Sequence, residues 1–392
     1  MREETAEKIV KLRSGYTTGS CATATAYAAA SLLLTQKKLA RCSITLPKGK
    51  HVEFVIESNC IENITVESNT TENSRATAST IKDAGDDPDV THQATVFSTV
   101  ELTSTKGIEF YAGDGVGMVT KPGLPIPAGQ PAINPVPRKM IQDHLAQLAE
   151  LHSYKGGFKV WVGVINGVHL ATKTMNARLG IIGGLSILGT TGIVRPFSCS
   201  AYIASIQQGV DVALSNNESH LFACTGNKSE DAAIRLFSTE STPLKEIALI
   251  EMGDFIGAVL KHIKKLNTAD TSKVPLRRLT IVGGFGKLSK FAQGHLDLHS
   301  KSSSIDLDFL ASVASELGSP TDTCDKMKQA NTSIEALSIA DEVCTGLADK
   351  LCHLGAKNAQ KYLPNDTDID VIVIDKQSQV LGSWSSIIHG IT

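Results

Sequence analysis

The stretch Arg178-Leu-Gly-Ile-Ile-Gly-Gly-Leu-Ser-Ile-Leu-Gly-Thr-Thr-Gly-Ile-Val-Arg-Pro196 lies near the middle of this 392-residue chain, and the sequence pattern changes after it. Its five glycines stand among Ile, Leu, Val, Ser and Thr, with an arginine near each end. Glycine permits positive φ and lets a ligand approach the main chain closely. We therefore predict a buried loop whose N–H groups and arginines bind an anionic ligand. The alternative is that the glycines only allow two elements to pack closely. The predicted ligand contacts are Arg178, Gly183, Gly184, Thr190, Thr191 and Arg195.

Before this stretch the sequence predicts a β-rich α+β domain, residues 1–194. Short apolar runs flanked by turn residues predict strands at 43–46, 52–57 and 158–165. Helices are predicted from the polar caps near residue 17 to 34, from 72 to 84 with a stop at Gly85, and from 137 to 151.

After it, predicted strands at 221–224, 247–250, 279–282 and 370–375 alternate with predicted helices, the last of them at 302–318 and 333–359. This alternation predicts a parallel sheet with helical crossovers. The fold class is therefore a two-domain α/β protein, in which residues 195–392 form a Rossmann-like, mostly parallel α/β/α domain. Loops at the carboxyl ends of such strands form a ligand crevice. Three small-residue loops fall there, Thr225–Asn227, Glu251–Asp254 and Gly283–Gly286.

Two other segments of the first domain carry polar groups suited to ligands. Thr17, Thr18 and Ser20 precede a helix of small residues, and a helix N-terminus offers N–H groups to an anion. The alternative is an ordinary helix cap. Gly113-Asp-Gly-Val-Gly117 follows a strand, but the prolines after it forbid the helix that a nucleotide fingerprint requires. Asp114 remains a candidate polar group in a tight loop.

Acids and histidines cluster at two places. Before His92 lies a cluster of acids that could bind a cation, although their register does not fit an EF-hand: Asp83, Asp86, Asp87 and Asp89. The alternative is a turn with Asp caps. His299 follows His295 by four residues with an acid between them, a spacing that suits base or metal chemistry or a plain polar loop. Lys287 follows the glycines at 283–286, whose spacing is wrong for a phosphate loop.

Composition excludes several classes of protein. The chain is 42% hydrophobic and 20% charged with a net charge of -2, so no basic surface argues for nucleic acid binding. No apolar run is long enough to span a membrane, and the charged first residues do not resemble a signal peptide. The eight cysteines contain no C-x-x-C pair, which argues against a zinc site or a disulfide framework. We expect a cytoplasmic protein that supplies no metal ligands.

The segment from Ile247 to Gly257 has a strand, an acid, two glycines and a helix in order. Doubly wound methyltransferases carry a similar acidic, glycine-rich turn for S-adenosylmethionine. The alternative is a plain strand-to-helix turn. The predicted methyl-donor contacts are Glu251, Gly253, Asp254, Gly257, Gly283 and Gly286.

Several long segments together resemble the cobalt-precorrin-5B C(1)-methyltransferase family, CbiD. This resemblance implies methyl transfer from S-adenosylmethionine to C1 of cobalt-precorrin-5B, giving cobalt-precorrin-6A in anaerobic cobalamin biosynthesis. Cobalt would arrive inside the substrate, and neighbouring pathway enzymes are the expected partners. The chain departs from the family pattern at Gly284, where His is usual, and at Ala177, Gln93 and Leu298. The segments that carry the resemblance are 14–22, 82–92, 115–125, 132–137, 178–196 and 251–255.

A precorrin bears many carboxylates, which arginine forks and lysines bind well. Lys121, Arg138, Arg178, Arg195 and Lys287 are the predicted carboxylate ligands, and Thr17, Thr18 and Ser20 join them as substrate contacts. If a base removes a ring proton, Asp114, His92 or His299 could serve. The alternatives are a non-catalytic tetrapyrrole carrier and a nucleotide-dependent oxidoreductase on the same sheet. The oligomeric state is left open.

Overall fold

The computed structural model describes residues 12–64, 73–268, 275–300, 302–343 and 346–387. These residues fall into two units, 1–199 and 200–392. The border predicted between residues 194 and 195 lies just before this division. The charged first residues and the predicted helix start at residue 72 lie outside the described ranges. None of the described helices is long and apolar enough to cross a membrane.

The first unit is built on a five-stranded sheet of order β4-β5-β6-β9-β7, in which only β7 runs parallel to its neighbour. Two-stranded pairs, β2 with β3, β1 with β11 and β8 with β10, complete it. Its elements are β1 Gly15–Tyr16, α1 Thr18–Thr35, β2 Arg41–Thr45, β3 His51–Val55, β4 Ser58–Ile64, β5 Asn73–Ile81, β6 Thr95–Thr103, β7 Ile108–Ala112, β8 Met118–Val119, α2 Pro135–Leu151, β9 Gly157–Val164, α3 Gly167–Ala171, β10 Ile181–Ile182 and β11 Ile193–Val194.

Helix α1 is buried on nearly every side, because it packs against both the sheet and α2. Its alanines allow the sheet to come close, and Val96 and Val100 of β6 face it within the core. The buried hydroxyls inside this core are paired: Thr25 Oγ1 lies 2.8 Å from Ser98 Oγ. An apolar helix of small residues therefore forms the centre of the first unit.

The helix predicted over 72–84 is wrong, since Asn73–Ile81 is strand β5. Ala76 and Ala78 are buried in the core, while Arg75 and Thr77 contact side chains of the neighbouring strand on the other face. Small and β-branched residues fit this alternation, and pairing with β4 and β6 on both sides outweighs local helix propensity.

The second unit contains a sheet of order β13-β12-β14-β15-β16. Four strands are parallel and the edge strand β16 is antiparallel. Its elements, with one 3-10 turn at Glu246–Ala248, are α4 Cys199–Ser215, β12 His220–Cys224, α5 Asn227–Phe237, β13 Leu249–Glu251, α6 Ile256–Thr268, β14 Arg278–Gly284, α7 Phe285–Ala292, α8 Leu307–Glu316, α9 Thr321–Lys328, α10 Ser333–Asp341, α11 Leu347–Gln360, β15 Asp368–Ile374 and β16 Val380–Ser385.

Helices cover both faces of this sheet. Ala232 and Ala233 of α5 pack with Phe222 and Ile372 on one face. On the other face α11 packs closely on α7 and β15, since a Cβ on Gly355 would lie 3.1 Å from Phe291 and 3.7 Å from Val371. The mostly parallel sheet is thus present as predicted. Its strand order differs from the 3-2-1-4-5-6 order of Rossmann folds, so the Rossmann-like part of the prediction is not confirmed.

The helix predicted over 333–359 is two helices, α10 and α11. Gly346 precedes α11 with φ of +97°, a left-handed conformation that a continuous helix does not contain. The helix predicted from 302 begins at Leu307, where the Asp306 carboxylate accepts the Phe309 N–H at 2.9 Å. Helix α9 and the antiparallel strand β16 were not predicted.

Candidate active site

Three loops meet at the carboxyl edge of the second sheet, where β12, β13 and β14 end side by side. Cys224 of β12 is in register with Glu251 on one side and Val282 on the other. The chain passes from β12 to β13 in one direction and crosses to β14 in the other. Such a reversal of strand order opens a crevice at the carboxyl ends of the strands. The predicted donor residues therefore lie at the edge that ligands favour.

Among the described residues, Glu251 is the acid of this edge whose carboxylate has no partner. It is half-buried, and its carboxylate makes no hydrogen bond or ion pair within the described part of the chain. Asp254 differs, because its carboxylate lies 3.1 Å from Lys287 Nζ. The same ammonium donates to the main-chain oxygen of Thr225 at 3.2 Å. Lys287 therefore joins the three loops, while Glu251 remains available to a ligand.

Tyr202 of α4 lies against this loop, a contact that no sequence pattern predicts. Its hydroxyl donates to the main-chain oxygen of Glu251 at 3.3 Å, and its ring centre is 5.8 Å from that of Phe255. Burial, followed by the carboxylates of Glu251, Asp254 and Glu230, raises the pKa of Tyr202 to about 12. The phenol therefore stays neutral and remains a hydrogen-bond donor at physiological pH.

The glycines of this edge have two roles. Gly253 has φ of +55°, and a Cβ there would lie 3.0 Å from the Tyr202 hydroxyl. Gly226 and Gly284 cap α5 and α7 without a side-chain hydrogen bond, and a Cβ on either meets nothing within 4 Å. The N–H groups in the first turns of α5 and α7 thus have no capping side chain as acceptor. A larger side chain at position 284 would have open space at its Cβ.

The remaining predicted donor glycines serve packing. A Cβ on Gly257 would lie 2.8 Å from Leu296, one on Gly286 would lie 3.0 Å from Ser333 of α10, and one on Gly283 would lie 2.7 Å from Thr225. These contacts hold the loops together. Their predicted role in donor binding stays a prediction.

His299 lies on a loop attached to the same edge. The Leu298 N–H donates to the main-chain oxygen of Asp254 at 2.8 Å, and Gly257 donates to Leu296 at 2.9 Å. Asp297 accepts the His299 N–H at 3.0 Å. The loop that carries His299 is thus hydrogen-bonded to the main chain of Asp254. The role of His299 as a base remains a prediction.

In the first unit the glycine stretch closes the N-terminus of α1. Gly19 N–H donates to Leu188 O at 2.9 Å, and Ser20 Oγ donates to Gly192 O at 2.8 Å. Thr18 Oγ1 accepts the Leu188 N–H, and Thr17 Oγ1 accepts the Ser20 N–H. The hydroxyls predicted to bind substrate therefore form hydrogen bonds within the protein. Their contact with substrate stays a prediction.

A row of N–H groups remains available beside this helix end. Those of Gly189, Thr190, Thr191 and Gly192 have no acceptor among the described residues. Thr190 is exposed, whereas Thr191 Oγ1 contacts its own loop at Ile193. Consecutive unpaired N–H groups form an anion-binding concavity. The Gly189–Gly192 loop is thus the part of the stretch that suits a carboxylate.

The other glycines of the stretch divide by what surrounds them. A Cβ on Gly184 would lie 2.3 Å from the main-chain oxygen of Gly115, so close packing requires this glycine. Gly183 has φ of +87° with nothing within 4 Å, and it is exposed. Gly183 can contact a ligand, while Gly184 supports the loop beneath it.

The predicted cations of the first unit differ in their contacts. Arg195 is exposed, and neither it nor Lys121 forms a hydrogen bond or ion pair with a described residue. The Lys121 stem packs beside Gly180. Arg178 is half-buried and has an interaction with another group. Arg138 donates to the main-chain oxygens of Ile133 and Pro131, so it is structural.

Asp114 and His92, the other two predicted bases, contact different loops. Asp114 is exposed, and its main-chain oxygen accepts the Val164 N–H at 2.9 Å. His92 Nδ1 accepts the Ala84 N–H at 3.1 Å, which occupies one of its two nitrogens. Their predicted catalytic role is untested.

The acid cluster beside His92 forms internal pairs. The buried Lys82 ammonium lies 2.7 Å from the Asp89 carboxylate, and Arg13 pairs with Asp83. Asp87 accepts the Phe197 N–H at 2.8 Å. No cluster of three metal-ligating side chains occurs in the described ranges. This segment is thus a structural turn in the first unit.

Comparison with known proteins gives matches across the chain. The sequence model of the CbiD family matches residues 4–196, and that of "CbiD, C-terminal domain" matches 297–385. A cobalt-precorrin-5B C(1)-methyltransferase of Pseudomonas putida (strain W619) is 54% identical over 382 residues, 97% of this chain and 99% of the relative. One of Burkholderia mallei (strain ATCC 23344) is 53% identical over the same fractions. A crystal structure of cobalamin biosynthesis protein (cbiD) from Archaeoglobus fulgidus, 28% identical, covers 72% of this chain and 80% of its own with a TM-score of 0.37.

Proposed function

The chain belongs to the CbiD family, and we propose that it transfers a methyl group from S-adenosylmethionine to C1 of cobalt-precorrin-5B. Relatives named for this reaction match almost the whole chain, including both units. Cobalt enters as part of the pigment. The cofactor is consumed as a co-substrate, because the methyl group moves from the sulfonium to the ring carbon and leaves a neutral thioether.

One observation carries the proposed donor site: the half-buried Glu251 carboxylate at the carboxyl end of β13 has no partner among the described residues. A half-buried carboxylate without a protein partner can still accept hydrogen bonds, and bonds to a charged acceptor are stronger than those between neutral groups. The two ribose hydroxyls of the donor are suitable groups. Gly253, at φ of +55°, keeps the main chain beside Glu251 free of a side chain.

The carboxylate of the donor's amino acid end suits the helix ends nearby. Helices α5 and α7 begin after the ends of the adjacent strands β12 and β14, with glycine caps at Gly226 and Gly284. The positive ends of helices stabilise anions. Lys287, although paired with Asp254, adds positive charge at the same edge. The edge therefore offers groups of opposite charge to the two ends of the donor.

The proposed pigment contacts lie in the first unit. The Gly189–Gly192 loop offers unpaired N–H groups, and Arg195 and Lys121 offer cations without protein partners among the described residues. These groups suit the acetates and propionates of the pigment. Because the methyl group is already activated, correct positioning supplies much of the rate, roughly 7–11 kcal/mol in well-oriented reactions.

Calorimetry with S-adenosylmethionine tests the donor site. Glu251→Gln keeps the shape and removes the charge, so donor affinity should fall about 10- to 150-fold, equivalent to about 1.5–3 kcal/mol. Glu240→Gln, an exposed change on the loop before β13, should leave the affinity unchanged. Unchanged affinity in folded Glu251→Gln would move the site to the Gly283 loop. Absence of donor binding by the wild type would favour the carrier alternative.

A further inference from the structure

Phe197 combines two features that are unusual for its residue type. Its side chain is 69% exposed, and its φ is +55°. A bulky residue at positive φ is a conformational outlier, because its Cβ crowds the main chain. The exposed ring gains little from burial that could offset this strain. Backbone strain of this kind persists where the surroundings enforce it, often at ligand sites.

The surrounding structure enforces the conformation from both sides. The Phe197 N–H donates to Asp87 Oδ1 at 2.8 Å. The Asp87 loop is itself anchored, because Asp86 Oδ2 accepts the Arg13 N–H at 2.6 Å and Arg13 pairs with Asp83. On the chain before it, Pro196 fixes its own φ, and strand β11 ends at Val194, paired with Gly15 of β1. The main chain at Phe197 is thus anchored, and its ring lies outside the core.

We infer that Phe197 is a pigment contact, whose ring packs against the face of the tetrapyrrole while neighbouring Arg195 binds one of its carboxylates. This inference rests on the proposed function. The apolar surface of a methylated macrocycle and its carboxylate-bearing rim match an aromatic ring beside a guanidinium, since aromatic rings bury large apolar areas and arginine binds carboxylates. Arg195 is exposed and has no partner among the described residues.

Phe197→Gly separates a binding role from a structural one. Glycine adopts positive φ without strain, so the melting temperature should rise by about 2–4 °C. Affinity for cobalt-precorrin-5B, measured by anaerobic absorbance titration, should fall about fivefold because the ring is lost. Phe197→Trp should retain the affinity. The matched control is Gln36→Gly, which relieves a φ of +56° at the end of α1 and should raise stability without changing pigment affinity.

Each outcome either supports or overturns the inference that Phe197 contacts the pigment. A stabilised Phe197→Gly variant with weakened pigment binding supports the inference. Unchanged pigment affinity overturns it, and so does a lower melting temperature, because the ring would then support the fold. If the wild type binds no pigment, the proposed function itself fails, which the titration of the wild type shows before any variant is made.

Discussion

The phenol of Tyr202 on α4 donates a hydrogen bond to the main-chain oxygen of Glu251, with 3.3 Å between the two oxygen atoms. The bond fixes the residue whose carboxylate faces the proposed donor site, while Gly253 passes beside the same hydroxyl. Helix α4 therefore holds the loop after β13 in position. We therefore propose that Tyr202 is a positioning residue for the proposed donor loop.

Tyr202→Phe should weaken S-adenosylmethionine binding about three- to tenfold, as expected for loss of one hydrogen bond. If Tyr202 acts through Glu251, the double variant Tyr202→Phe, Glu251→Gln should bind S-adenosylmethionine no more weakly than Glu251→Gln alone. Calorimetry measures both. Tyr362→Phe removes a hydroxyl at the amino edge of the sheet, after α11, and should have no effect. Additive losses in the double variant would show that the two side chains act separately.

Gly183→Ala tests whether the glycine stretch contacts the pigment. The substitution places a Cβ at positive φ in open space, so it should cost about 1–2 kcal/mol of unfolding free energy. Gly49→Ala in the β2–β3 turn imposes the same strain at φ of +81°, also in open space. Only the Gly183 variant should lose pigment affinity. Equal pigment affinity in the two variants would show that the exposed glycine does not touch the ligand.

Arg195→Lys keeps the charge and removes the planar fork, so pigment affinity should fall about five- to tenfold. Arg41→Lys is the matched control, because Arg41 forms an exposed pair with Glu53 on the β2–β3 hairpin. Absorbance titration of both variants with cobalt-precorrin-5B measures the effect. Wild-type affinity in Arg195→Lys would mean that the site requires only a positive charge there.

His220 should make the second unit sensitive to acid. Burial, followed by the charge of Arg278, lowers its pKa from 6.5 to about 4. Its neutral ring donates from Nε2 to Thr280 Oγ1 at 2.8 Å, and Thr280 donates to Asp370 at 2.6 Å. Between pH 6.5 and about 4, His220 binds a proton in the unfolded chain but not in the folded chain. Stability should therefore fall as pH drops through this window, by on the order of 3 kcal/mol.

Urea unfolding of the full chain between pH 4 and 7 checks this expectation. His220→Gln retains an N–H donor without titrating, so its unfolding free energy should change less across the window. The other histidines are common to both proteins and cancel in the comparison. The same slope in both proteins would exclude His220 as the source.

The sequence predicted the four parallel strands of the second sheet, because these strands are dense in apolar residues and turn residues bound them. The same pattern located the loop of Glu251, since strand ends and glycines are local signals. The helix predicted at the position of β5 was wrong because the small residues there favour no structure locally. Pairing with β4 and β6 makes them a strand. Tyr202 reaches the donor loop from a separate helix, a contact that depends on tertiary packing. Phe197 is unusual through its φ and its exposure, neither of which a sequence pattern reveals.

Methyl transfer itself is the most direct test of the account. The protein is incubated anaerobically with cobalt-precorrin-5B and S-adenosylmethionine carrying a labelled methyl group, and the pigment is then analysed by mass spectrometry with fragment assignment. The account predicts one labelled methyl group on C1 for the wild type and for Glu240→Gln, with much slower labelling by Glu251→Gln at the same donor concentration. Pigment that is bound but unlabelled by the wild type, with the donor intact, would contradict it.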